Sequence, residues 1–192
     1  MMGFPKDERG NSEDTMGGRL GLLVAALWIV SGAARPVCAG NESPAFDRLK
    51  ALVGEWEGRN QGGPVKITYT LVSGGSALME RLQPANEPEM ITMYTADGDR
   101  ILVTHYCSQG NQPEMATGAM KAKADKYSFS LVRVSGLKSP EEGHMVGLVL
   151  TLVDRDHLTQ EWKYTDKGKT QAEVFEYTRK PEKAATVVPT GG

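Results

Sequence analysis

Between Trp56 and Arg179 apolar and polar residues alternate in short runs, and each run ends in a turn signal. In "VKITYTLV" the period of two puts Val65, Ile67, Tyr69 and Leu71 on one face, the signature of a half-buried strand. The same alternation recurs in "ALMERLQ", "EMITMYT", "RILVTHYC", "EMATGAMKA", "KYSFSLVRV", "HMVGLVLTLV", "HLTQEWKYT" and "TQAEVFEYTR". Ala96-Asp97-Gly98-Asp99 and Asp166-Lys167-Gly168-Lys169 are placed to close tight hairpins, because glycine reaches the left-handed backbone such turns need. Ahead of Trp56 the pattern differs. Ser43 can cap a helix, Pro44 suits its first position, and Phe46, Leu49 and Val53 recur at helical spacing before Gly54 stops the run. One short N-terminal helix followed by about ten evenly spaced strands predicts an all-β domain, a closed antiparallel up-and-down barrel. Residues 40–180 are assigned to this domain. The Pro-, Gly-, Ala- and Thr-rich segment 181–192 is expected to be a disordered tail.

Residues 1–39 read as a signal peptide. Leu20 to Gly32 is an apolar run too short to span a bilayer comfortably, Arg19 precedes it, and Val37-Cys38-Ala39 offers small residues for cleavage before Gly40. Asp7, Glu8, Glu13 and Asp14 do not suit a basic leader, so the natural start is placed at Met16. An uncleaved N-terminal anchor is the rival reading of the same run. Cleavage implies export, to the periplasm or outside the cell, with no membrane span after processing. The mature chain of about 150 residues is one domain by size, large enough to bury a core or wrap a cavity.

Charge and cysteine content narrow the function classes. The leader carries four basic residues (Lys6, Arg9, Arg19, Arg35) and the four acidic ones named above, so its removal leaves the net charge at −2. The charges are interleaved along the strands, which excludes the basic stripe of a nucleic-acid surface. Cys38 leaves with the leader and Cys107 remains alone, so packing and hydrogen bonds rather than a disulfide must hold the fold.

The helix leading into "LVGEWEGR", the consecutive hairpins and a last strand ending in Arg179 resemble the lipocalin-like barrels over residues 45–180. In those proteins a Gly-x-Trp near the start of the first strand packs under the barrel floor, often against an arginine from a late strand. The resemblance implies these roles for Gly54-Glu55-Trp56 and for Arg179. The "THYC" and "GNQP" segments, with a later "HM", are similar to uncharacterised exported bacterial proteins of this shape. A likeness in outline to the haem-binding barrels of the nitrobindin type lies in the Gly-x-Trp-x-Gly entry, Gly54 to Gly58, and not in a haem-ligand motif.

The stretch "THYCSQGNQPEM", residues 104–115, is densest in candidate chemistry. Alternation puts Ile101, Val103, His105 and Cys107 on one face and Leu102, Thr104 and Tyr106 on the other. An inward His105 among apolar neighbours needs a polar partner, and the preceding strands offer Glu80, Thr92 and Tyr94. The turn from Ser108 to Pro113 would then bring Asn111 and Gln112 to a mouth of the barrel. These features predict a container that binds a small, partly apolar molecule non-covalently, in a mostly apolar pocket with a few placed polar groups. Glu80, Tyr94, His105, Asn111, His144 and Trp162 are the expected lining, with neither a metal nor a cofactor required. Met79, Met90, Met93, Met115, Met120 and Met145 read as adaptable core or, where inward, as a soft lining.

Other functions compete with this reading. A haem or tetrapyrrole binder would use His105 or His144 as axial ligand with a methionine opposite. A hydrolase or isomerase would use His105 as general base with Glu80 or Tyr94 as partner. A His105–Cys107 pair suits it poorly, because i and i+2 side chains of a strand stand about 6–7 Å apart. Zinc held by His105, Cys107, His144 and His157 would lack the tight ligand spacing of metal motifs. A structural barrel with a packed lumen completes the set.

Overall fold

Ser43 accepts a hydrogen bond from the Phe46 amide on its hydroxyl at 3.3 Å, and Pro44 opens the helix α1, Pro44–Leu49. A turn of 3-10 helix, Lys50–Leu52, follows. This tighter turn changes one expectation. It brings Leu52 to the buried side, while Val53, already outside the helix, is 42% exposed. The computed structural model describes residues 43–60, 62–120 and 124–181. The leader with Met16, its cleavage site and the tail from residue 182 lie outside these described residues.

Ten strands follow α1: β1 Gly54–Asn60, β2 Gly63–Val72, β3 Ala77–Pro84, β4 Met90–Asp97, β5 Arg100–Tyr106, β6 Gln112–Ala116, β7 Lys126–Ser135, β8 His144–Leu152, β9 His157–Asp166 and β10 Lys169–Arg179. Each pairs antiparallel with its neighbours in sequence, and β1 also pairs with β10, so the sheet is a closed up-and-down barrel. Lys167 and Gly168 have φ of 47° and 75°, the positive pair that a two-residue hairpin needs between twisted strands. The strand expected from "EMATGAMKA" instead begins at Gln112 and stops at Ala116. Pro113 costs no bond on the β5 side, where pairing starts only at Glu114. Beyond Ala116 the Thr117 hydroxyl accepts the Ile101 amide at 3.0 Å, so a side chain satisfies the donor there.

α1 plugs one end of the barrel. Phe46, Leu49 and Leu52 are buried with Trp56, whose indole N–H donates to the Leu52 carbonyl at 2.8 Å. The Tyr127 hydroxyl donates to the Ala45 carbonyl at 2.8 Å and ties α1 to β7. Arg179 lies 4.1 Å from the Trp56 ring centre and donates to the carbonyls of Ala51 and Val53 at 2.7 and 2.8 Å. This is the placement implied above for Trp56 and Arg179. Gly58 makes room for the adjacent strand: a Cβ there would lie 2.3 Å from the Glu176 carbonyl oxygen and 2.6 Å from the ring of Tyr177, its partner on β10. Met90 and Met115 are buried inward, whereas Met79 and Met93 face each other across β3 and β4 on the outer side. Among the described residues no helix is long and apolar enough to cross a membrane.

Candidate functional site

At the end away from α1 the barrel holds a cavity of about 450 Å³, within the range of small-molecule sites. Leu82, Met90, Met145, Trp162 and Phe175 give it apolar walls, and His105 and Cys107 enter it from the end of β5. Its rim is polar: Asn60 on β1, Glu87 in the β3–β4 loop, Ser108 and Gln109 after β5, and Gln171 on β10.

Strand register builds the polar part of the interior. Tyr69 on β2 stands opposite Glu80 on β3, Glu80 opposite Thr92 on β4, and Thr92 opposite His105 on β5. Paired residues in a ladder are about 5 Å apart, so each side chain of this row can reach the next. The Tyr69 hydroxyl donates to Glu80 Oε2 at 2.7 Å, and the Thr92 hydroxyl is 3.0 Å from His105 Nδ1. Tyr94, two residues along β4, donates to the same Oε2 at 2.8 Å. From the facing wall Gln160 on β9 donates to Oε2 at 2.7 Å and to the Tyr69 hydroxyl at 2.9 Å. The Trp162 indole, which can only donate, gives its N–H to Gln160 Oε1 at 3.0 Å. That bond fixes which end of the amide faces Glu80. With Gln160 donating to it, the Tyr69 hydroxyl must pass its own proton to the carboxyl.

Two polar atoms of this row have no partner among the described residues: Glu80 Oε1 and His105 Nε2. Burial raises the Glu80 carboxyl above its ordinary range, and the donated bonds of Tyr69, Tyr94 and Gln160 offset this only in part. Three donors occupy Oε2, so a proton taken up by Glu80 belongs on Oε1. Burial pushes the His105 imidazole down to about 4, leaving it uncharged at neutral pH with one donor and one acceptor nitrogen. Tyr69 and Tyr94 are held well above the ordinary phenol value, by burial first and by the Glu80 carboxylate second, and so remain donors. The His105 ring lies 4.8 Å from the Trp162 ring, tilted by 46°.

The expected site residues separate into three groups. His105 and Trp162 line the cavity. Glu80 and Tyr94 are wholly buried behind it and bond to each other. The remaining two lie at that end, Asn111 in the β5–β6 loop and His144 at the first position of β8. Asn111 is buried and donates to the Gly143 carbonyl at 2.9 Å, stapling the β5–β6 loop to the β7–β8 loop. His144 bonds the Glu142 carbonyl through Nδ1 at 2.7 Å, and its neighbour Met145 takes the place in the cavity wall. The partner of His105 is therefore Thr92, and neither Glu80 nor Tyr94 pairs with it directly. His157 pairs with Asp154 at 2.8 Å, away from the cavity. Among the described residues no group of three or more His, Cys, Asp or Glu could hold a metal ion.

Gln160, Phe175 and Glu173 were not singled out by pattern alone. The β9–β10 hairpin carried the missing signal. Counting back from Lys167 and Gly168 pairs Trp162 with Glu173 and Gln160 with Phe175, which puts all four on the inward face.

No protein-family model matches the chain, and none of the curated proteins matches it. Among solved structures it is similar to a protein of unknown function from the DUF3598 family of Nostoc punctiforme PCC 73102, at 15% identity and a TM-score of 0.47. That likeness covers 69% of this chain and 48% of the other, so the chain spans about half that protein's length. It is also similar to a redesigned β-barrel, at 10% identity and a TM-score of 0.35, over 74% of this chain and 99% of that one.

Proposed function

We propose that this is an exported barrel that binds a small, partly apolar molecule non-covalently in the cavity beside His105 and Trp162. One observation carries the reading: His105 Nε2 is buried without a partner among the described residues, on a residue that lines a cavity with both apolar walls and a polar rim. A buried polar atom left unpaired costs about 1–3 kcal/mol, and a ligand group that bonds it recovers that cost. Trp162 offers a flat apolar face next to it. Export rests on the apolar run from Leu20 to Gly32 and the small residues before Gly40.

Native mass spectrometry of the protein purified from the envelope extract of its own host tests this. A retained small molecule is expected as added mass, lost in Trp162→Ala and weakened in His105→Leu. Bare protein in every preparation, with no compound from that extract raising its melting temperature, would favour the packed structural barrel instead.

Haem is the second reading, supported by the same free Nε2 and by Thr92 on Nδ1, an orientation that suits an axial ligand. The lining fits the rest of haem poorly. Its two carboxylates would meet Glu87 and Glu173, and no Lys or Arg lies among the described lining residues. Titrating ferric haem into wild type, His105→Ala and His144→Ala decides: a haem band altered by either substitution supports ligation, and identical spectra dismiss it.

A further inference from the structure

The charged groups around the cavity are of one sign. Glu87 and Glu173 lie in its lining, and no Lys or Arg does among the described residues. Neither carboxylate has an ion-pair partner among those residues, whereas Glu89, two positions from Glu87, is held by Arg81 at 2.9 Å. Glu173 faces the interior from β10, opposite Trp162 and two residues from Phe175, so a carboxylate and two aromatic rings share one wall. His105, uncharged at neutral pH, adds no positive charge to offset them. Its Nε2, buried and unpartnered among the described residues, is a polar atom of the same lining.

Resting on the ligand-binding reading above, we infer that the ligand is an organic cation: an amine or quaternary ammonium on an apolar, ring-sized body. The body lies against Trp162 and Phe175, where the ring faces also attract a cation. The positive group lies toward Glu173 and Glu87, and a hydrogen-bonding atom of the body meets His105 Nε2. An anionic ligand of the same shape would bring a third negative charge to a site that holds no counter-charge among the described residues.

Three probes of one shape separate charge from fit: naphthylmethylamine, naphthylmethanol and naphthoate, each titrated calorimetrically into the full mature protein at neutral pH. The amine is expected to bind about tenfold more tightly than the alcohol, and naphthoate most weakly. Raising the salt concentration should narrow the gap. Glu173→Gln should bring the amine to within about twofold of the alcohol, both measured on that same variant. Glu87→Gln, in an exposed loop, repeats the test should Glu173→Gln disturb the barrel. Naphthoate binding as well as the amine, or an amine preference unchanged in both variants, would overturn the cationic ligand and leave small-molecule binding standing. Failure of all three probes to bind, or binding indifferent to Trp162→Ala, would bring down both readings.

Discussion

Burial drives Glu80 and His105 alike toward their neutral forms, and the two therefore bend the stability curve in opposite directions. For His105 the unfolded imidazole keeps its ordinary value of 6.5 while the folded one sits at about 4. Between those limits the unfolded chain binds a proton that the folded chain does not, so stability falls as pH drops, by about 3 kcal/mol across the window. Glu80 has its folded value raised, so the stability it contributes is full below the ordinary carboxyl range and is lost as pH rises through the folded value. The slopes overlap and oppose, and variants are needed to part them. Urea midpoints at several pH values should show His105→Leu neutral or stabilising at pH 7 and relieved of its acid-side loss, with Glu80→Gln relieved of the opposite one. A loss above about 2 kcal/mol in His105→Leu at pH 7, coupled to Glu80 in a double-mutant cycle, would make His105 a structural residue instead. At this scale the period of two puts His105 on one face with Ile101 and Val103, and an inward His105 has Thr92 among its possible partners. That period could not choose Thr92, because the choice depends on the β4–β5 register.

Among the elements, strands and hairpins were legible because alternation and positive-φ turns are local signals. Side-chain intrusions were not. At Thr117 the hydroxyl takes the Ile101 amide in place of a backbone carbonyl, and the Lys50–Leu52 turn rotates Val53 outward; each depends on contacts distant in sequence or on a change of helix type. His144 shows the same limit: it opens β8, and its Nδ1 turns back to the Glu142 carbonyl in the preceding loop, which alternation along the strand does not encode. The floor gives the sharpest test of how elements hold together. Arg179 joins the end of β10 to the carbonyls of Ala51, Val53 and Arg155 while covering Trp56. Arg179→Ala should cost about 2–3 kcal/mol. Arg179→Lys should recover little of it, since an ammonium cannot present the same planar fork of donors. Amide exchange should quicken first in α1 and the turn after it; unchanged protection there would detach Arg179 from the floor.

For the whole molecule, a meander of hairpins was enough to predict closure, whereas the end that carries the cavity depends on where α1 tucks in, which no local pattern encodes. Export belongs to this scale as well. N-terminal sequencing of the mature protein should begin at Gly40 or within a few residues of it, and a secreted chain still carrying Leu20 to Gly32 would end the cleaved-leader reading. Closure itself reaches further. Every seam of the barrel but one joins strands adjacent in sequence; the exception, β1 with β10, brings together Trp56 and Arg179 from opposite ends of the domain. Hairpins can form early because little chain entropy opposes them, but this seam must await nearly the entire chain, so closing the ring is the natural late step of folding. The bottleneck is a property of where the chain is cut, not of the barrel. A circular permutant joined across that seam and opened at Lys167–Gly168 would keep every pair except the opened turn, and would move the slow step to β9 and β10.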